Sequence, residues 1–124
     1  MVHVVVIDDE PLVVEACAMI LRVAGFQVST APDGESGLQL IRTLRPAVVV
    51  SDIRMPGLTG DELAAILKAG PETHHIPILL MSAHGSAPKN NCDGFLAKPF
   101  LNHELIAAVQ RLVPGGVGTN PSPA

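Results

Sequence analysis

Four short apolar runs in this sequence end in polar side chains that could do chemistry together. Asp8 and Asp9 follow the first run, Asp52 closes the second, and Ser82 and Lys98 follow the other two. If these runs are neighbouring parallel strands, their carboxyl ends meet at one edge of a sheet, which is where open α/β sheets bind ligands. Three carboxylates, a hydroxyl and an ammonium would then converge at that edge.

This set of polar residues is typical of a site that accepts a phosphoryl group with the help of Mg²⁺. Three carboxylates repel one another unless a cation lies between them, and Mg²⁺ prefers carboxylate oxygens, a backbone carbonyl and waters. Asp52 is the candidate nucleophile, because carboxylates form aspartyl phosphates at phosphate-transferring sites. Lys98 could pair with Asp52 and later with a phosphoryl oxygen, to which the hydroxyl of Ser82 could also donate. Serine or cysteine hydrolase chemistry and nucleotide binding are not supported, because no histidine, cysteine or second base lies at a strand end and no glycine-rich loop is present.

Alternating strands and helices are expected to position these residues. The predicted strands are Val2 to Ile7, Gln27 to Thr30, Ala47 to Ser51, Pro77 to Met81 and Gly94 to Ala97. The first, third and fourth are nearly unbroken apolar runs, which is typical of central strands buried on both faces. Strands that alternate with helices predict a parallel sheet with right-handed crossovers.

Helix-start and helix-stop signals lie between these strands. The predicted helices run from Pro11 to Ala24, from Glu35 to Leu44, from a start at Thr59 to near Gly70, and from Asn102 to about Val113. Thr59 and Glu62 form a T-x-x-E capping box, and Asn102 is expected to be the N-cap of the last helix.

One crossover and the C-terminal end depart from this regular pattern. Only thirteen residues, Ser82 to Gly94, lie between Met81 and Phe95, and they show no apolar periodicity. Since a parallel crossover needs about a dozen residues or more, usually with a helix, the helix there should be shortened or absent. Residues 1–113 are expected to form one domain, and residues 114–124, rich in Pro and Gly, a disordered tail or a linker.

Composition restricts the class of partner. The chain has 124 residues, a formal charge of -4 and no basic run, which argues against direct nucleic-acid binding. Its first apolar run has only four residues before Asp8, too few for a signal peptide or a membrane span, so a cytoplasmic location is expected. The composition is 48% hydrophobic and 16% charged, so exposed apolar area, often a partner surface, is also expected. Cys17 and Cys92 are predicted to be free thiols.

Four segments together resemble the receiver domain of two-component response regulators. They are Val6-Ile7-Asp8-Asp9-Glu10-Pro11, Ser51-Asp52-Ile53-Arg54-Met55-Pro56-Gly57-Leu58-Thr59-Gly60, Met81-Ser82-Ala83 and Phe95-Leu96-Ala97-Lys98-Pro99-Phe100. The resemblance extends from about His3 to Val113. It implies a flavodoxin-like, doubly wound, five-stranded parallel sheet with the strand order 2-1-3-4-5.

The resemblance also implies roles for individual residues. Asp52 would accept a phosphoryl group from a sensor histidine kinase or a histidine phosphotransfer protein. Asp8, Asp9, Asp52 and the backbone carbonyl of Arg54 would hold Mg²⁺. Ser82 and Phe95 would be the switch pair, and the bond from Lys98 to Pro99 would be cis. The domain would be a signalling switch and not an enzyme in the usual sense, although it would catalyse its own phosphotransfer and slow dephosphorylation.

Alternative interpretations concern the short crossover, the first helix and the function. Receivers commonly signal and dimerise through their fourth helix, fifth strand and fifth helix, so the short crossover indicates either a repurposed face or a segment that orders with phosphate or a partner.

The first helix has only two charged residues, so Val13, Val14, Cys17 and Ala18 cannot all face the core. Those that do not are either tolerated apolar residues on the surface or a docking patch for the phosphodonor. The alternative function is a pseudo-receiver that binds partners without phosphorylation; a haloacid-dehalogenase-type phosphatase is excluded because D-x-D-x-T is absent after Asp52.

Overall fold

The computed structural model describes residues 2–83 and 92–113, which form a five-stranded parallel sheet flanked by helices. The strands are β1 (His3–Ile7), β2 (Gln27–Ala31), β3 (Val48–Asp52), β4 (Ile78–Ser82) and β5 (Gly94–Ala97). The helices are α1 (Pro11–Val23), α2 (Gly34–Leu44), α3 (Gly60–Ala69) and α4 (Asn102–Leu112). The strand order is β2-β1-β3-β4-β5, which confirms the predicted fold class.

Two sequence predictions concern residues that the structure does not describe. The shortened or absent helix between β4 and β5 was expected in a segment that includes residues 84–91, and the disordered tail was expected at residues 114–124. Both ranges lie outside the described residues.

The central strands are buried on both faces, as their apolar runs predict. Every residue of β3 and β4 is buried, and β1 is buried apart from His3. Successive side chains of a strand point to opposite faces, so Val4 and Val6 pack under α1 and α4, while Val5 and Ile7 pack under α2 and α3. Among the described residues, no helix has the length and apolar character needed to cross a bilayer.

The helix ends show which capping predictions were correct. The capping box of α3 is confirmed, because Thr59 Oγ1 accepts from the Glu62 amide at 3.4 Å and Glu62 Oε1 accepts from the Thr59 amide at 3.0 Å. The prediction that Asn102 is an N-cap was wrong, since Asn102 is already helical and Leu101 is the N-cap. Glu104 Oε1 accepts from the Leu101 amide at 2.7 Å, so an acceptor three residues into the helix holds this end.

Helix α1 corrects the expectation about its apolar residues. Val14, Cys17 and Ala18 are all buried with Leu21, and Val13 is half-buried. The four buried residues have the i, i+3, i+4, i+7 spacing of one helix face, and the small Cys17 and Ala18 side chains allow a close approach to the sheet. Val14 therefore belongs to the core and not to a docking patch. The exposed large apolar residues of α1 are three others: Leu12, Met19 and Val23.

Candidate functional site

The strand register brings the predicted site residues to one edge of the sheet. Ile7 pairs with Ser51, Asp52 with Met81, and Ser82 with Ala97, so the strands end at similar heights. Asp52 and Ser82 are the last residues of their strands and not the residues that follow them. Asp8 and Lys98 come directly after β1 and β5. The convergence expected from the apolar runs is therefore present.

Lys98 connects two of the three carboxylates. Its Nζ lies 3.0 Å from Asp8 Oδ2 and 3.3 Å from Asp52 Oδ1. The Asp8 side chain is fully buried, and the side chains of Lys98 and Asp52 are only 16% and 11% exposed. The other Asp8 oxygen accepts a 3.0 Å bond from the Glu10 amide. The sequence predicted the pairing with Asp52, whereas the shorter pairing with Asp8 emerges only from the structure.

The three carboxylates are close enough to share a cation. Asp8, Asp9 and Asp52 each offer an oxygen atom, and these atoms all lie within 4.8 Å of one another. Asp8 and Asp52 are buried, whereas Asp9 is exposed and open to solvent. One ammonium cannot balance three carboxylates, and the remaining negative charge and all-oxygen donor set fit a hard divalent cation such as Mg²⁺.

Burial and the neighbouring charges shift the pKa values at this edge. Burial raises the pKa of Asp52 above its ordinary value, Lys98 opposes that rise, and the charge of Asp8 adds to it. Burial by itself would lower the pKa of Lys98, but its hydrogen bond to Asp8 and the charges of Asp8 and Asp52 raise the pKa overall. Lys98 is therefore a firmly protonated cation beside a carboxylate that is more basic than usual.

A cleft of about 280 Å³ opens over these groups. It is lined by Asp9, Glu10, Asp52, Arg54, Ser82, Ala83 and Lys98. Ser82 is buried at the end of β4, and Arg54 is exposed at the rim. Phe95 does not line this cleft. It is half-buried on β5, where it pairs with Leu80 and packs against the core beneath α2 and α3.

The backbone after β3 supports Asp52 in a way that sequence reasoning missed. Gly60, the first residue of α3, lies directly against the Asp52 carbonyl, and its amide donates a 2.8 Å bond to the Ile53 carbonyl. A Cβ atom at Gly60 would overlap the Asp52 carbonyl oxygen and lie 2.9 Å from Ile53 Cα. A glycine in the first turn, directly after the capping Thr59, was the sequence signal for this close approach.

Lys98 is held in place by the backbone around it. Its amide donates a 2.9 Å bond to the Ser82 carbonyl, which extends the pairing of β4 with β5. The bond from Lys98 to Pro99 is cis, as the resemblance implied.

An apolar groove of about 510 Å³ adjoins the cleft. We call it the α1 groove; it is lined by Leu12, Val13, Ala16, Cys17, Ile20, Ala83, Lys98, Pro99, Phe100 and Asn102. Ala83 and Lys98 line both the groove and the cleft. Sequence reasoning placed apolar surface on α1 but did not identify the loop after β5 as the opposite wall.

Comparison with known proteins agrees with the geometry. The family model of the response regulator receiver domain matches residues 4–110. The transcriptional regulatory protein FixJ of Bradyrhizobium diazoefficiens is 36% identical over 117 residues, which cover 90% of this chain and 56% of FixJ. A probable transcriptional regulatory protein, TcrX of Mycobacterium tuberculosis, is 33% identical over 90% of this chain and 50% of its own length. The chain thus spans about half the length of these curated relatives.

Solved structures show the same similarity. The chemotaxis protein CheY4 of Vibrio cholerae superposes with a TM-score of 0.85 at 29% identity, over 91% of this chain and 99% of that one. The signal receiver domain of a signal transduction histidine kinase from Syntrophus aciditrophicus superposes with a TM-score of 0.86 at 26% identity, over 100% of this chain and 98% of that one. With its sheet order, its acidic cluster and the family match over most of its length, the chain belongs to the response regulator receiver domain family of two-component signalling.

Proposed function

We propose that this receiver domain is a phosphorylation-dependent switch and that Asp52 is its phosphoacceptor. The observation that carries this proposal is the position of the Asp52 carboxylate, 3.3 Å from the Lys98 ammonium and within reach of a cation shared with Asp8 and Asp9. Asp52 also faces a cleft that is open to a phosphodonor. No other described carboxylate combines a lysine contact with this cleft.

The proposed reaction is transfer of a phosphoryl group to a carboxylate oxygen. An Asp52 oxygen forms a bond to phosphorus while the bond from phosphorus to the donor nitrogen breaks, and the donor histidine keeps that electron pair. Lys98 neutralises negative charge on the transferring group, and the hydroxyl of Ser82 donates to one of its oxygens. Asp8, Asp9, Asp52 and the backbone carbonyl of Arg54 would hold Mg²⁺, which supplies further charge neutralisation when bound.

The proposed switch depends on Ser82 and Phe95. Phosphorylation adds up to about two negative charges beside the Ser82 hydroxyl, which can bias a small two-state element. Phe95 lies on the neighbouring strand and is half-buried, and in the proposed switch its ring turns inward when β4 moves toward the phosphate. Output would then depend on the surface around β5.

The proposed partner is a sensor histidine kinase or a histidine phosphotransfer protein. The α1 groove is its expected docking site, because it is mainly apolar and shares Ala83 and Lys98 with the Asp52 cleft. A helix seated in that groove could present a phosphohistidine directly to Asp52. The formal charge of -4 favours protein partners over nucleic acid.

Acetyl phosphate with Mg²⁺, read by intact-mass spectrometry, tests this function without a protein donor. The wild type should gain one phosphoryl group, Asp52→Asn should gain none, and a chelator should abolish labelling of the wild type. Asp33→Asn is the matched control, because Asp33 is a half-buried carboxylate at the start of α2 that does not line the Asp52 cleft, and it should label normally. An unlabelled wild type would favour the pseudo-receiver alternative, and a labelled Asp52→Asn variant would move the phosphoacceptor elsewhere.

A further inference from the structure

Helix α1 has a second apolar surface besides the one that packs on the sheet. Leu12, Ala16, Met19 and Val23 follow one another at intervals of four, three and four residues, and we call them the outer stripe of α1. Leu12 is 86% exposed, Met19 67% and Val23 84%, and Ala16 is also exposed. This spacing is that of the a and d positions that join two helices, over about 16 Å of helix axis.

We propose that the outer stripe pairs with the outer stripe of a second copy of this chain, with the two α1 helices antiparallel about a twofold axis. In that arrangement, Leu12 of each copy lies opposite Val23 of the other. Ala16 lies opposite Met19, so the smallest side chain of the stripe faces the longest. Each contact occurs twice, as an isologous interface requires.

The charges of α1 favour the antiparallel arrangement. Glu15 and Arg22 are the only charged residues of the helix, and they lie seven residues apart on the same flank of the stripe. In an antiparallel pair the same flanks of the two helices face each other, so Glu15 of each copy approaches Arg22 of the other, with an axial offset of about 3 Å. In a parallel pair, this flank would instead face the uncharged flank of Val13 and Ile20.

The Arg22 side chain is ordered on the flank of α1 that lies next to β2. Its Nη2 donates a 3.0 Å hydrogen bond to the Val28 carbonyl of this edge strand. A guanidinium has five N–H donors, so this bond leaves donors for a carboxylate of the second copy.

The pairing is expected to be weak and concentration-dependent. A single pair of 13-residue helices buries less than the roughly 1,200 Å² of a standard specific interface. Leu12 and Ala16 also line the α1 groove, so a second copy bound there would cover part of the proposed docking site of the phosphodonor. Self-pairing and phosphodonor docking would therefore exclude each other.

Sedimentation equilibrium of the chain alone tests whether the outer stripe mediates self-association. The measurement covers concentrations from about 20 µM to about 1 mM, where weak interfaces are populated. The average mass of the wild type should rise toward that of a dimer. Met19→Glu and Val23→Glu should each lower the association constant by about tenfold or more, because each places two unpaired carboxylates in an apolar seam. Ile66→Glu is the matched control on α3, where Ile66 is 38% exposed, and it should associate like the wild type. A wild type that stays monomeric, or association that survives Val23→Glu, would overturn the proposal.

Charge reversal tests the antiparallel register. Glu15→Arg and Arg22→Glu should each weaken self-association, whereas an equal mixture of the two variants should associate more strongly than either variant alone. A mixture that associates no better than its components would contradict this register. Arg22→Glu also loses the bond to Val28, so its folding is checked by circular dichroism, and the two stripe variants decide the proposal if it does not fold.

Discussion

Lys98 donates a 3.0 Å hydrogen bond to Asp8, a residue 90 positions earlier in the chain. The Asp8 side chain is fully buried, so without a cation beside it the carboxylate would be strongly disfavoured. Lys98 therefore stabilises the folded edge of the sheet as well as standing beside Asp52. Experiment can measure the stabilising role by itself, because a divalent cation can neutralise Asp8 in place of the Lys98 ammonium.

Lys98→Met removes the ammonium and keeps a side chain of similar length. We expect the free energy of unfolding without Mg²⁺ to fall by about 2 kcal/mol, below the usual cost of breaking a buried pair because Lys98 is partly exposed. Added Mg²⁺ should recover part of this loss, since it neutralises the same carboxylates. Urea unfolding with and without Mg²⁺ measures both effects.

Lys68→Met is the matched control for that measurement. Lys68 also forms an ion pair, 2.8 Å from Asp93, but it lies on α3 away from the acidic cluster. Its loss should not increase the response to Mg²⁺. An equal Mg²⁺ response in both variants would contradict the assigned role of Lys98.

Gly60→Ala should disturb Asp52 although it improves local helix propensity. The added Cβ would overlap the Asp52 carbonyl, and both the carbonyl and Ile53 Cα belong to backbone that cannot turn aside. We expect lower stability and slower labelling by acetyl phosphate. Asp61→Ala, at the next and exposed position of α3, should label at nearly the wild-type rate. Normal labelling of Gly60→Ala would show that this close approach is not needed.

The two cysteines should differ in their reaction with iodoacetamide. Burial raises the pKa of Cys17 to about 11, and the charge of Asp8 adds to that shift. Because the thiolate is the reactive form, Cys17 should remain unlabelled in the native protein at neutral pH. Burial also raises the pKa of Cys92, but Cys92 is only half-buried and should react first. Peptide mapping after short exposure would identify the labelled residue, and early labelling of Cys17 would contradict its buried position.

Asp33 should make α2 sensitive to acid. It accepts a 2.7 Å bond from the Ser36 amide, and this bond lowers the pKa of Asp33 from its ordinary value in the folded protein. A lowered pKa means that its stabilising effect is complete above the unfolded pKa and is lost as the pH falls through the folded pKa. Wild type should therefore be more stable than Asp33→Ala at neutral pH, and the difference should shrink in acid. Urea unfolding of both proteins across this range checks the sign, and a difference that grew in acid would refute it.

Much of the fold could be predicted because its signals are local. The apolar runs that became β1, β3 and β4 needed no partner to be recognised, since short unbroken apolar runs bounded by polar residues are typical of strands buried on both faces. Thr59 and Glu62 predicted the start of α3 because both halves of a capping box lie within one turn. The parallel order of these elements then predicted that Asp8, Asp52, Ser82 and Lys98 would meet at one edge.

The sequence by itself therefore determined which residues meet at the site, because the strand ends and helix caps that position them are encoded locally. What only the tertiary structure decided was how they meet: that Lys98 lies closer to Asp8 than to Asp52, and that Gly60 lies against the Asp52 carbonyl. The structure also decided which side of α1 is buried. Apolar residues surround most of that helix, so periodicity could not choose a face, and the choice depended on the fit of its side chains, including Val14, against the twisted sheet.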